Sequence, residues 1–293
     1  KCNLIIFNND ISPTQIKNLQ KAAGESIKII DRTSLILDIF TKHAKTREAK
    51  AQVKLAQLQY ILPRLTRQWT HLERQMGGIG TRAGAGESQI EIDRRLIRNQ
   101  IMKLKKELQY IQKQRNIQNH ARERTYRIAL VGYTNTGKST LMKSLTGANV
   151  LIQDQLFATL DTTTRKLDIE LGMPILISDT VGFIRNLPHH LIASFRSTLG
   201  EIRNVDLLLK VIDAASENIQ HHINTVNEVL HGLKLTNQSS FLILNKIDKI
   251  SKPEQLDGLK QRFNDAIFIS AEKKIGIDLL ISKIKDMVRN GFT

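Results

Sequence analysis

The chain has 293 residues, 41% hydrophobic and 25% charged, which excludes a disordered or fibrous class and leaves room for two globular domains. No apolar run approaches the ~20 residues that cross a bilayer, nothing resembles a secretory leader, and the lone Cys2 excludes an internal disulfide, so a cytoplasmic protein is expected. The net charge of +16 is unevenly placed: from Thr41 to Arg127 twenty Lys and Arg stand against seven Asp and Glu, leaving +13 in that segment alone.

Residues 1–41 read as a small α/β piece. Leu4-Ile5-Ile6-Phe7 has the composition of a strand, and Ser12-Pro13-Thr14-Gln15 places Ser at N-cap, Pro at N1 and Gln at N3 of a helix. Ile27 to Ile30 and Leu35 to Ile39 are apolar runs for which periodicity leaves strand and helix both open. The chain opens on Lys1 and enters a strand almost at once, so N-terminal structure is expected to be missing.

Residues 42–126 are expected to form a basic antiparallel helical hairpin. Leu55, Leu58, Leu62, Leu65, Trp69 and Leu72 make one apolar seam; Ile90, Ile97, Ile101, Leu104, Leu108 and Ile111 make a second. Their spacings of three and four, after an opening seven in the second set, put each set on one side of a helix, with polar and basic residues elsewhere. Pro63 should kink the first helix or leave it locally irregular. Between the seams, the glycines of Gly77-Gly78-Ile79-Gly80-Thr81-Arg82-Ala83-Gly84-Ala85-Gly86 prevent helix continuation and mark a tip at 77–87. The charge of this segment suits a polyanion partner, or simply a solvated helix surface, and the tip suits close approach to RNA or simply a hinge.

Residues 127–293 alternate strands and helices, the pattern of a mostly parallel, doubly wound α/β P-loop GTPase domain. Strands are expected at Ile128 to Val131, Asp206 to Ile212, Phe241 to Asn245 and Ile267 to Ile269, with a hairpin of Arg165 to Glu170 and Ile175 to Asp179. Helices are expected near 187–203, 217–232, 253–264 and 276–289. Gly132-Tyr133-Thr134-Asn135-Thr136-Gly137-Lys138-Ser139 then falls between a strand and a helix, where the P-loop pattern belongs. Its glycines let backbone amides curl around phosphates, Lys138 contacts the β and γ oxygens, and Ser139 ligates Mg2+. Thr140 follows in the first turn of the helix.

Three more short motifs follow strands in order. Asp179-Thr180-Val181-Gly182 supplies Asp179 to Mg2+ through water and the Gly182 N–H to the γ-phosphate. Asn245-Lys246-Ile247-Asp248 supplies a carboxylate that accepts from guanine N1–H and its amino group, while Asn245 ties this loop to the phosphate loop. Ser270-Ala271 offers a backbone N–H to guanine O6. The base-reading Asp248 selects GTP over ATP, although secondary ATP use stays open. The Mg2+-binding threonine of the mobile switch is Thr159, Thr162, Thr163 or Thr164, with Thr159 favoured. Phe183 stands where many GTPases carry a water-orienting glutamine, so hydrolysis needs charge neutralisation or a partner to complete the site. Asn135 either coordinates K+ in place of an arginine finger or only braces the switch.

The segments Gly132–Thr140, Leu156-Phe-Ala-Thr-Leu-Asp161 and Asp179-Thr-Val-Gly-Phe-Ile-Arg185 resemble the phosphate-side motifs of the HflX family of ribosome-associated translational GTPases. The likeness extends through Asp31–Phe40, Gln57–Leu65 and Gly77–Arg82, which most GTPases lack. The resemblance implies GTP and GDP as ligands, Mg2+ as cofactor, and a protein that binds the large ribosomal subunit and splits stalled ribosomes; the sequence gives no reason to expect a stable oligomer, so a monomer is expected. It implies rRNA contact by Gly77, Gly78, Gly80 and Arg82 at the tip, with Arg94, Arg95 and Arg98 in support. Ala85, Ser88, Ile92 and Thr162 depart from the family pattern, and the family's N-terminal subdomain is larger than 1–41. A GTP-dependent assembly or RNA-modification factor is the competing reading, disfavoured because no second catalytic site or usable thiol is visible.

Overall fold

The computed structural model describes residues 2–24, 26–65, 89–120, 125–147, 162–169, 171–183 and 205–290. The described residues up to Arg115 form one compact unit and those from Asn116 onward another.

The first unit begins with β1 (Leu4–Phe7) and β2 (Lys28–Asp31), which pair in parallel from Leu4 opposite Lys28 to Phe7 opposite Asp31. Between them runs α1 (Pro13–Ala23), started by the expected capping box: Gln15 N–H donates to Ser12 Oγ, and Ser12 N–H to Gln15 Oε1. Of the two ambiguous apolar runs, the first is β2 and the second lies inside α2 (Arg32–His43). Asp31 decides the boundary. Its buried carboxylate caps α2 at Ser34 N–H (2.8 Å), and accepts from Tyr60 Oη (2.7 Å) and Arg64 Nη2 (3.5 Å). Burial and this hydrogen bond to a carboxylate both push the Tyr60 hydroxyl pKa up.

The helices α3 (Arg47–Ile61) and α4 (Gln89–His120) carry the two seams. Ala51, Leu55, Leu58 and Leu65 pack with Ile97, Ile101 and Leu108 in one buried cluster, with Leu62 and Leu104 half-buried against it. Arg47 Nε meets Glu107 Oε1 at 2.7 Å while Arg94 Nη2 donates to Leu65 O at 3.3 Å, so the helices run antiparallel. At Pro63 the helix is locally irregular, one of the two outcomes expected there: α3 passes after Ile61 into a 3-10 turn over Leu62–Arg64. The outer seam residues Trp69 and Leu72, and the glycine-rich tip with Gly77, Gly78, Gly80 and Arg82, lie outside the described residues.

The second unit is a six-stranded sheet in the order β4-β5-β3-β6-β7-β8, with β3 at Tyr126–Gly132, β4 at Thr163–Leu167, β5 at Ile175–Asp179, β6 at Leu207–Asp213, β7 at Ser239–Asn245 and β8 at Ile267–Phe268. Only β4 is antiparallel, paired with β5 as the expected hairpin. After β3 the chain lays down the edge strand β4 and returns through β5 on one side, then adds β6, β7 and β8 on the other. That reversal makes the sheet doubly wound, and its carboxyl edge beside β3 is where α/β folds bind ligands. The helices are α5 (Lys138–Thr146), α6 (Ile219–Gly232), α7 (Pro253–Arg262) and α8 (Ile277–Asn290); the helix expected near 187–203 lies outside the described residues. Leu130, Leu141, Met142, Ile177, Leu209, Ile243, Leu280 and Ile284 are fully buried in one core joining strands to helices. Among the described residues no helix is long and apolar enough to cross a membrane.

Candidate functional site

The carboxyl edge of β3, β5, β6 and β7 gathers the polar residues of the second unit. β3 is buried at every position but Arg127 and ends at Gly132, where a Cβ would run into Val211 O of β6. The chain then turns through Tyr133 to Gly137 and enters α5. Gly137 sits at φ +88°, a left-handed conformation, and a Cβ there would collide with Asn245 Nδ2. No side chain caps this helix, and Lys138, Ser139 and Thr140 lie in its first turn, ahead of the residues whose amides bond back within a helix. Amides arranged in this way are donors suited to phosphate oxygens.

Lys138 is buried, with Nζ donating to Tyr133 O (2.8 Å) and Gly132 O (3.3 Å). Burial lowers its ammonium from its ordinary 10.5 to about 8; Asp179 draws it back up, and Lys246 pushes it further down. Ser139 Oγ donates to Asp179 Oδ2 at 2.6 Å, which brings a hydroxyl and a carboxylate from α5 and β5 together. This pair of hard oxygen donors suits Mg2+. Gly182 N-terminally flanks Phe183, and a Cβ at Gly182 would lie 2.7 Å from Thr134 Cα and 3.0 Å from Lys138 Nζ. Only glycine allows the backbone this close to the lysine.

Phe183 is 2% exposed and faces the interior. Its backbone zips to the phosphate loop, Phe183 N–H to Gly132 O (2.9 Å) and Thr134 N–H to Phe183 O (2.8 Å). The position after Gly182 therefore holds the loop in place and offers no polar side chain to a water molecule.

The base side is built from β7 and the loop after β8. Asn245, 2% exposed, donates from Nδ2 to Thr136 O (2.8 Å) and accepts Ala271 N–H on Oδ1 (2.9 Å). The expected tie from this loop to the phosphate loop is present. Ser270 N–H donates to Ile275 O at 3.0 Å. Both amides of the Ser270-Ala271 pair are therefore engaged within the protein, where the sequence pattern suggests a donor to guanine O6. Asp248 lies half-exposed in a 3-10 turn, Ile247–Lys249, entered through Lys246 at φ +67°. Lys246 Nζ reaches Asn135 O at 2.6 Å and Asp213 Oδ2 at 2.8 Å. Asn135 is exposed and left-handed at φ +58°.

Of the threonines weighed for the switch, Thr163 and Thr164 lie in β4, and Thr164 Oγ1 bonds Ser178 Oγ across the hairpin (2.8 Å). Thr159 lies outside the described residues. Two neighbours of the site do not stand out in the sequence. Asp213 ends β6, and its signal is its place at the carboxyl end of an apolar strand. The ring of His222 on α6 stacks on Tyr133 of the phosphate loop, centroids 4.5 Å apart and 20° from parallel. Burial, aided by His221, lowers the His222 pKa against the pull of Asp213.

Three sequence families match in succession: "GTP-binding GTPase N-terminal" over residues 1–41, "GTP-binding GTPase Middle Region" over 43–122 and "50S ribosome-binding GTPase" over 127–246. The GTPase HflX of Flavobacterium psychrophilum is 44% identical over 97% of this chain and 73% of its own length. The chain belongs to the GTPase HflX family. The HflX of Magnetococcus marinus is 46% identical over 98% of this chain and 66% of its own length, and that of Escherichia coli 44% identical over 97% and 67%. The chain thus spans about two thirds of the length of these HflX relatives. Among solved structures, a GTP-binding protein of Sulfolobus solfataricus in complex with GDP superposes with a TM-score of 0.54 at 27% identity, covering 98% of this chain and 81% of that one. The α/β P-loop GTPase fold read from the sequence is the fold of this HflX chain.

Proposed function

We propose that this chain is a GTP-hydrolysing switch that binds the large ribosomal subunit and dissociates or rescues stalled ribosomes, as a cytoplasmic monomer. The observation that carries the nucleotide half is convergence. Lys138, the Ser139–Asp179 pair and the Asn245–Thr136 tie meet at one sheet edge although they come from three separate stretches of chain. In this reading, Gly132 to Thr140 cradle the phosphates, with Asn135, Thr136 and Gly137 shaping the loop and the α5 amides and Lys138 as donors. Ser139, Asp179 and Thr159 hold Mg2+, which neutralises phosphate charge when bound. The Gly182 amide meets the γ-phosphate. Asp248 reads the guanine edge, while Asn245, Lys246, Ser270 and Ala271 shape the base pocket.

The buried Phe183 supplies no water-positioning group, so Lys138, Thr159 and Gly182 stabilise the transferring phosphoryl group and the remaining contribution comes from a partner. Asn135 either holds K+ or only braces the switch: it is exposed on a left-handed turn, and its carbonyl accepts from Lys246 Nζ. ATP is a secondary substrate at most.

Two observations support the ribosome as that partner: the family description matched by residues 127–246, and the +13 held between Thr41 and Arg127. Arg95 and Arg98 are exposed on α4 and suit rRNA phosphates; Arg94 is half-buried with Nη2 on Leu65 O, so it supports the helix pair more than it reaches outward. Gly77, Gly78, Gly80 and Arg82 are proposed as the tip contact. The test is co-sedimentation with purified ribosomal subunits in GTP, GDP and nucleotide-free states, alongside GTP turnover. Retention on the large subunit that weakens with added salt, and turnover that rises with large subunits, is expected. Turnover indifferent to large subunits would sink the ribosome reading and leave the nucleotide reading standing.

A further inference from the structure

Asp213 lies opposite Asn245 in the β6–β7 ladder, which puts an acidic side chain beside the base-reading loop. Its two oxygens do different things. Oδ1 accepts Ala215 N–H at 3.0 Å and so fixes the carboxylate to its own turn; Oδ2 pairs with Lys246 Nζ at 2.8 Å. The same ammonium donates to Asn135 O at 2.6 Å. One cation therefore joins the end of β6, the base-reading loop and the phosphate loop.

We propose that Asp213 is a positioning residue for the bound nucleotide: by anchoring Lys246 it locks the phosphate loop and the base-reading loop into one cradle. This deepens the guanine-nucleotide reading above and rests on it.

Three considerations carry the proposal. A lysine has a flexible four-carbon stem and a compact charge, so a single neutral carbonyl does not hold its head in one place. A fixed carboxylate on the far side does. Second, the pair is only 16% and 22% exposed, so solvent screens it less than an ordinary surface ion pair. Third, two ammonium groups stand close enough for Lys246 to disfavour the charge on Lys138. Each has its own carboxylate, Asp179 near Lys138 and Asp213 on Lys246, so both cations can stay beside the phosphate site. Without Asp213, Lys246 would lose its anchor, and Asn135 O would lose a fixed donor.

The experiment measures release of a fluorescent GDP and of a slowly hydrolysed GTP analogue from the whole chain. Asp213→Asn keeps the shape and the acceptor for Ala215 N–H while removing the charge. It should speed release of both nucleotides by about tenfold and by the same factor, because the linked loops are common to the two complexes. Lys246→Met should speed release as well, and adding Asp213→Asn to it should change little further, since the carboxylate acts through the lysine. Release within about twofold of wild type in Asp213→Asn, or an undiminished effect on the Lys246→Met background, would overturn the proposal. Should Asp213→Asn not fold, Lys246→Met alone decides: unchanged release removes the link on which Asp213 is argued to act. A wild-type chain that binds no guanine nucleotide overturns the nucleotide reading itself, a result distinct from either.

Discussion

Truncating Asn245 to alanine tests the connection on which the nucleotide site depends. The side chain makes two buried hydrogen bonds, one given to Thr136 O at 2.8 Å and one taken from Ala271 N–H at 2.9 Å. Alanine leaves that carbonyl and that amide without partners in a region closed to water. An orphaned buried group costs about 1–3 kcal/mol, so two together cost about 3 kcal/mol, allowing for partial relaxation. In a unit of this size, ~1 kcal/mol shifts the unfolding midpoint by about 2–4 °C, so a drop of about 6–12 °C is expected if the whole loss appears in global stability. If the base loop instead detaches locally, the same 3 kcal/mol appears as a GDP affinity weakened by about 100-fold with a smaller change in midpoint. Calorimetric unfolding of the nucleotide-free chain, paired with GDP titration, separates the two. Asn245→Asp sharpens the comparison, since it keeps the acceptor for Ala271 N–H but sets a carboxylate against Thr136 O. A midpoint lowered by less than about 2 °C together with GDP affinity within about threefold would refute the reasoning, because orphaned groups cannot be that cheap.

Asp248→Asn should move preference from GTP toward xanthosine triphosphate, whose ring offers an acceptor where guanine offers an amino group; unaltered GTP affinity would dismiss Asp248 as the base reader. GDP affinity should stay level below the Lys138 value of about 8 and weaken above it, toward about tenfold per pH unit. The sign follows from the lowered pKa: above it the lysine has lost its proton in the nucleotide-free chain, while phosphate favours the charged form, so binding takes a proton up. Titrations kept below the pH at which guanine itself ionises, and repeated on Lys138→Ala, check this, and a level profile in the wild type would contradict it. Replacing K+ by Na+ should slow GTP turnover if Asn135 holds a monovalent cation, whereas equal rates leave Asn135 a bracing role.

Short-range signals made much of this molecule legible from its sequence. The capping box of α1 depends on residues three apart, the seams of α3 and α4 on spacings of three and four, and the phosphate loop on glycines where a Cβ has no room. These are local constraints, and local chemistry states them. Even the hairpin's antiparallel sense followed, because two apolar seams joined by a short connector bury each other most simply in that way.

What tertiary structure alone decided lies in contacts between residues far apart in sequence. Ile27 to Ile30 and Leu35 to Ile39 look alike as apolar runs; the first pairs with β1 while the second follows a helix cap at Asp31, whose carboxylate also receives Tyr60 and Arg64. Pro63 left a kink and a local irregularity both open, and the folded chain takes the second, a 3-10 turn over Leu62–Arg64. The Lys246 contact to Asn135 spans 111 positions, and no periodicity announces it, nor the carboxylate of Asp213 behind it. The residue types at the nucleotide site are set by phosphate and guanine chemistry and so can be read in order along the chain. Which side chains hold those residues still is set by how six strands pack side by side, and only the folded sheet brings them together.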